Sequence, residues 1–226
     1  MSFKMVCFRL SREGRKQVRE PLMNEKSTRE HLQDVGVKFM HRKGYNATGL
    51  LDILNAADVP KGSFYHHFGS KEDFAAAALA RYVTHEGEHA ASVLSDFRTP
   101  PLKRLKRYFT DLAKTYGQAG EIPGCMMGRF SLEMAVESPQ LRKQISASFA
   151  GWQHKIAGVI QEAVEQRELP GDTEPVALAG FLLNSWEGAL LRSQAEMSDA
   201  PLETFLRYAL DTLAQKAEPK THRKRH

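Results

Sequence analysis

Leu50-Leu51-Asp52-Ile53-Leu54-Asn55-Ala56-Ala57, then Asp58-Val59-Pro60, then Lys61-Gly62-Ser63-Phe64-Tyr65-His66-His67-Phe68 form one continuous stretch, and its reading decides the fold. Leu50, Ile53, Leu54 and Ala57 recur at helical spacing, which predicts a short helix with one apolar face. Thr48 or Gly49 caps it. Asp58-Val59-Pro60 breaks the pattern with a tight turn. Pro60 suits the first turn of the next helix, where a missing N–H is not needed. In that helix Phe64 and Phe68 stand four apart and face the core. Lys61, Gly62, Ser63, Tyr65, His66 and His67 are left on the other side. Two short helices joined this way have the pattern of a helix-turn-helix. The first packs across the second through small residues such as Ala56 and Ala57, and the second offers a polar face to a major groove. On this reading Lys61 reaches a base edge or a phosphate, and Gly62 lets the backbone come close. Ser63 and Tyr65 supply hydroxyls for phosphate oxygens. The same spacing also describes a plain three-helix core with a polar surface.

Upstream, Ser27-Thr28-Arg29-Glu30 reads as a capping box that opens a helix. Leu32, Val35, Phe39 and Met40 follow at helical spacing, and Gly44 after Arg42 and Lys43 ends it. Downstream, Ser70 and Asp73 open a long helix from Lys71 to about Val93. Helical periodicity continues near residues 101–117, 124–136, 138–168, 174–196 and 200–216. The breaks fall at Pro123-Gly124, Ser138-Pro139, Pro170-Gly171 and Pro201. No alternating strand pattern, Asn-Gly hairpin signal or internal repeat appears. The expectation is an all-α chain of about nine helices: a helix-turn-helix domain over 27–75, a helical domain over 76–216, a basic disordered arm over 1–26 and a basic tail over 217–226.

The net charge of +5 is concentrated at the ends. Residues 1–26 carry +4 and residues 215–226 carry +4, whereas 27–80 are neutral and the remainder carries −3. The basic pI therefore says little about the folded part. Basic ends attract DNA without sequence preference, so a non-specific architectural DNA binder is the alternative function. No run of 18 apolar residues spans a membrane, and the basic N-terminus lacks the apolar region of a secretory signal, which points to the cytoplasm. Cys7 and Cys125 do not make a disulfide framework.

Enzyme signatures are weak. No Gly-rich phosphate loop and no G-x-S-x-G elbow appear, and no cofactor is expected. His85-Glu86-Gly87-Glu88-His89 matches the zinc-protease pattern literally, with both imidazoles on one helical face. Its surroundings are polar and no third ligand follows, so no metal site is expected.

The stretch from Gly44-Tyr45-Asn46-Ala47-Thr48 through Lys61-Gly62-Ser63-Phe64-Tyr65-His66-His67-Phe68 to Ser70-Lys71-Glu72 resembles the DNA-binding domain of the TetR family of regulators. The resemblance implies that Lys61, Gly62, Ser63, Tyr65 and His66 face DNA and that Thr28, Thr48 and Lys71 reach its backbone. Asp58 stands where Gly is usual and Pro60 where Ser or Thr is usual. It further implies a homodimer paired through the last two helices, a small-molecule effector held in the C-terminal domain, and repression of an operator. Ala177, Ala179, Gly180, Leu183, Gly188 and Leu191 supply the close packing such a pairing needs; an internal core uses the same residues.

Met126, Met127, Phe130, Trp152, Phe181 and Trp186 are candidates for an effector cavity, although aromatic and Met stripes also build plain cores. Ile122-Pro123-Gly124-Cys125 with Ser131-Leu132-Glu133, together with Pro60 to Phe68, resembles the NemR-like branch. There a cysteine at this position senses electrophiles or oxidants. Cys125 at a helix start predicts a lowered thiol pKa, assisted by Arg129 if it folds back. A buried, inert thiol is the competing reading.

Overall fold

The computed structural model describes residues 27–117, 124–211 and 213. The expected arm and tail, and Cys7, lie outside them. Among the described residues there are nine α-helices and no strand. They are α1 (Thr28–Lys43), α2 (Leu50–Ala57), α3 (Lys61–His67), α4 (Lys71–Leu94), α5 (Pro101–Tyr116), α6 (Met126–Met134), α7 (Pro139–Glu165), α8 (Pro175–Glu196) and α9 (Ala200–Phe205).

Local chemistry sets most of these boundaries. Both halves of the Ser27 capping box form: the Glu30 N–H donates to Ser27 Oγ at 3.3 Å and the Ser27 N–H to Glu30 Oε2 at 2.9 Å. Gly44 ends α1 with a φ of 79°, a conformation that favours glycine. Asp58 turns the chain after α2 in the left-handed region, with φ 52°. Short polar side chains tolerate that region better than most. Gly49, not Thr48, occupies the cap position of α2, and no side chain bonds there. Pro60 sits one residue before α3 rather than inside its first turn. Ser70 caps α4 by accepting from the Asp73 N–H at 2.9 Å. The last segment departs from expectation: after Phe205 the α-helix gives way to a π-helical stretch, Leu206–Asp211, tied to α5 by Lys106–Asp211 at 2.7 Å.

Helices α1 to α3 pack around a fully buried Phe64, which meets Phe68 and Phe74 at 5.4 and 5.3 Å between ring centroids. Such tilted and edge-on pairs add to simple area burial. Phe74 belongs to α4, so the connecting helix is seated in the N-terminal core. It lies close because Gly36 leaves room: a Cβ there would stand 2.4 Å from the Phe74 ring. Ala56, expected at the α2–α3 contact, is exposed, and Ala57 alone is buried there. The C-terminal helices close around Phe109, Trp186 and Phe205, whose rings meet at 5.1 to 5.6 Å. The buried Arg104 of α5 ties three elements together: it donates to the Leu94 carbonyl ending α4 and pairs with Glu162 of α7. No helix among the described residues is long and apolar enough to cross a membrane.

Candidate nucleic-acid interface and effector cavity

Burying Phe64 fixes the rotation of α3 and thereby turns Lys61, Gly62, Tyr65 and His66 to solvent, with Ser63 half-buried. Tyr65 is 52% exposed although it is a large aromatic residue. The Lys61 ammonium lies 6.0 Å from its ring centroid. Gly62 has open space where a Cβ would sit, so nothing within the protein requires glycine there. Arg29 of α1 anchors the far end of α3 by donating to the His67 carbonyl at 2.7 Å and lying 4.6 Å over Phe68. Sequence reading missed this clamp, because it joins residues far apart in the chain. Thr28 is exposed at the start of α1.

One expected backbone contact needs correction. Thr48 is fully buried, and its hydroxyl donates to the Gly44 carbonyl at 2.5 Å. Its side chain braces the α1–α2 loop and cannot reach a phosphate. The Lys71 ammonium is also engaged: it donates to the Tyr45 carbonyl at 2.7 Å and stands 4.3 Å over that ring. Partial burial holds its pKa below the usual lysine range.

A cavity of about 340 Å³ opens between α4, α5, α7 and α8. That volume suits a small organic molecule. Trp152, Trp186, Met127 and Cys125 line it, as expected. Met126 and Phe130 do not: both are fully buried, and Phe130 packs against Tyr45 at 6.4 Å. Phe181 is 59% exposed on the outer face of α8. Periodicity identified an inner stripe on α6 but could not tell which of its residues border empty space. Tyr82, Tyr108, Tyr116 and Glu86 complete the wall without having been expected. The Tyr82 and Tyr116 hydroxyls bond at 3.0 Å. Burial pushes all three tyrosines and the Glu86 carboxyl up, favouring their neutral forms. The Trp152 indole N–H is enclosed beside the Tyr108 hydroxyl.

The histidines of the metal-like motif part company. His85 is exposed, and His89 is half-buried with its ring 5.9 Å from Tyr108. Among the described residues no group of three metal-ligating side chains forms.

Cys125 caps the N-terminus of α6, as its position suggested, but its thiol pKa moves the other way. Burial, then the Glu187 carboxyl, push it well up, outweighing the Gly128 and Met127 N–H groups that pull it down. Arg129 does not fold back; it donates to the Arg42 carbonyl at 3.3 Å. Helix α6 and the residue pair before it thus hold the end of α1 and the loop that follows at three points. His41 bonds the Gly124 carbonyl through Nε2, Arg129 bonds Arg42, and Glu133 Oε2 accepts the Asn46 N–H at 2.8 Å. The His41 ring lies 5.2 Å from Tyr82 of the cavity wall.

Residues 32–78 match the family described as bacterial regulatory proteins, tetR family, and residues 101–209 match the tetracyclin repressor-like C-terminal domain. The HTH-type transcriptional repressor DhaR of Mycobacterium sp. (strain GP1) is 36% identical over 84% of this chain and 94% of its own length. The chain belongs to the TetR family. Among its other relatives is the HTH-type transcriptional repressor NemR of Escherichia coli K12, 30% identical over 85% of this chain and 97% of NemR. The crystal structure of E. coli NemR in its reduced form superimposes with a TM-score of 0.76, covering 81% of this chain and 95% of that one. The protein is therefore a DNA-binding transcriptional regulator rather than an enzyme. In this TetR-family chain α8 carries Ala177, Phe181, Gly188 and Leu191 on its outer face, with Phe181 and Leu191 each 59% exposed. Ala179 and Leu183 are buried on its inner side instead.

Proposed function

We propose that this protein is a homodimeric repressor whose two α3 helices occupy successive major grooves of a palindromic operator. Effector binding in the aromatic cavity, or modification of Cys125, releases it from DNA. The observation that carries the reading is the orientation of α3: Phe64 is fully buried, and Lys61, Gly62, Tyr65 and His66 face outward, uncovered by any of the described elements. Lys61 contacts a base edge or phosphate, the hydroxyls of Ser63 and Tyr65 contact phosphates, and Gly62 admits close backbone approach. Thr28 and His66 complete the contact set. Residues 27–75 form the reading domain and 76–216 the effector and dimer domain.

Dimerisation uses the outer face of α8, continued by the π-helical stretch where Tyr208 is 63% exposed. An apolar stripe at this spacing on a long helix suits packing against its symmetry mate. The chain couples its two ends through α6 and the residue pair before it, which border the cavity at Cys125 and Met127 and grip the end of α1 and the loop that follows through Gly124, Arg129 and Glu133. A shift of α6 alters the position of α1 and α3, and the two half-sites are no longer engaged together.

Selection of bound sequences from random DNA tests the first half. The expected result is a two-fold symmetric site with half-sites about one DNA turn apart. Binding without sequence preference and with a steep salt slope would instead make the chain an architectural DNA binder. Cys125→Ser tests the second half by abolishing release by electrophiles; a retained response demotes the thiol to packing.

A further inference from the structure

We propose that Glu187 is the proton acceptor through which Cys125 adds to a neutral α,β-unsaturated carbonyl compound held in the aromatic cavity. The inference rests on Cys125 being the sensing thiol and supplies the chemistry that reading lacks.

Cys125 separates two hollows. One is the aromatic cavity; the other is a cleft of about 440 Å³ between α6 and α8 that Glu187 also lines. The two side chains converge over Gly128. A Cβ on Gly128 would stand 2.7 Å from Glu187 Oε2 and 3.8 Å from the Cys125 Cβ. The other carboxyl oxygen, Oε1, is enclosed with no hydrogen-bond partner. Of the other charged groups lining that cleft, Arg129 donates to the Arg42 carbonyl and Glu133 accepts the Asn46 N–H. The titratable groups across the cavity are Tyr82 and Glu86 on α4, Tyr108 and Tyr116 on α5 and Lys155 on α7.

A thiol whose pKa is pushed up by burial is a poor nucleophile on its own. Its neighbour corrects this. Burial raises Glu187 to about 7, where a carboxylate is both substantially ionised and basic enough to take a proton at neutral pH. Once the proton has moved, the charge repulsion between the two groups vanishes. The Gly128 and Met127 N–H groups at the start of α6 then face the developing thiolate.

The step balances without oxidant or reductant. The sulfur pair forms a bond to the β-carbon while the S–H proton passes to Glu187. The alkene π pair moves toward the carbonyl, leaving an enolate. The enolate takes a proton at its α-carbon from solvent water, and Glu187 returns the thiol proton to solvent, so no net proton is gained or lost. The walls are mostly apolar and carry one carboxyl and one ammonium group, Glu86 and Lys155, which suits a compound of no net charge.

The test follows adduct formation on Cys125 by mass spectrometry in the full chain, with methyl vinyl ketone as probe, across about pH 5.5 to 8.5, alongside release of operator DNA. In the wild type the rate rises as Glu187 ionises near pH 7. E187Q lowers the rate about tenfold to a hundredfold at pH 7.5 and moves its rise into the alkaline range, while E187D keeps a reduced rise near neutrality. A merely electrostatic neighbour predicts the opposite, because removing a negative charge beside a thiol lowers its pKa and speeds reaction. An E187Q rate equal to or above wild type therefore overturns the proposal and leaves the sensor reading intact. An adduct that forms with these profiles but leaves DNA bound supports the proton transfer and overturns the sensor reading. No adduct on wild-type Cys125 overturns both.

Discussion

Asp58 holds a left-handed backbone conformation at the turn between α2 and α3, where glycine would carry no steric penalty. Asp58→Ala is expected to lower stability by about 1 kcal/mol in denaturant titration, and Asp58→Gly to leave it within a few tenths. Glu187 makes a second prediction at this scale. Its pKa in the folded chain, about 7, lies above the ordinary carboxylate value, so the folded state binds the proton more tightly than the unfolded one. Its contribution is most favourable below about pH 4.5 and is lost as pH rises to about 7. Glu187→Gln should remove that downward slope and raise the melting temperature at pH 8, read by thermal melts at several pH values. Residue roles set by near neighbours were legible beforehand: the Ser27–Glu30 box, Gly44 and Asp58 all act within a few positions. The burial of Thr48 and Cys125 and the Tyr45 contact of Lys71 were not legible, because they come from elsewhere in the fold. Lys71 meets Tyr45 and Cys125 meets Glu187, pairings that no local spacing reveals.

Helix α3 shows how one element divides its labour. Phe64→Ala empties a fully buried site and should cost about 3–5 kcal/mol, so DNA binding disappears together with a large drop in the melting temperature. Lys61→Ala and Tyr65→Ala act on the outward face and should weaken operator binding roughly tenfold each while the melt is unchanged, as fluorescence anisotropy and thermal melts on the same samples can separate. Lys61→Ala should also flatten the salt dependence if it contacts a phosphate. Existence and order of the helices followed from apolar periodicity and capping residues. The change from α to π geometry after Phe205 did not, because a six-residue stretch is barely one turn and too short for its wider period to show in the apolar pattern. On α6 the inner stripe was visible, yet Met127 borders the cavity while Met126 and Phe130 fill the core, a distinction that depends on where neighbouring helices leave a gap.

For the whole molecule, pairing and communication are separable. Phe181→Glu and Leu191→Glu place charge on the outer face of α8 and should yield monomers in analytical ultracentrifugation that have lost tight operator binding with normal helicity. Glu133→Ala removes the carboxylate that accepts the Asn46 N–H and should leave basal operator affinity near wild type while blunting release by effector, measured as a rightward shift of the dose–response. The buried apolar cluster runs without interruption from Phe64 through Phe74 and Leu79 to Trp186 and Phe205. Heat therefore has no seam to open. The N-terminal helix-turn-helix and the C-terminal helices should melt in one calorimetric peak, and a compound that fills the cavity should shield the N-terminal helices from trypsin without touching them.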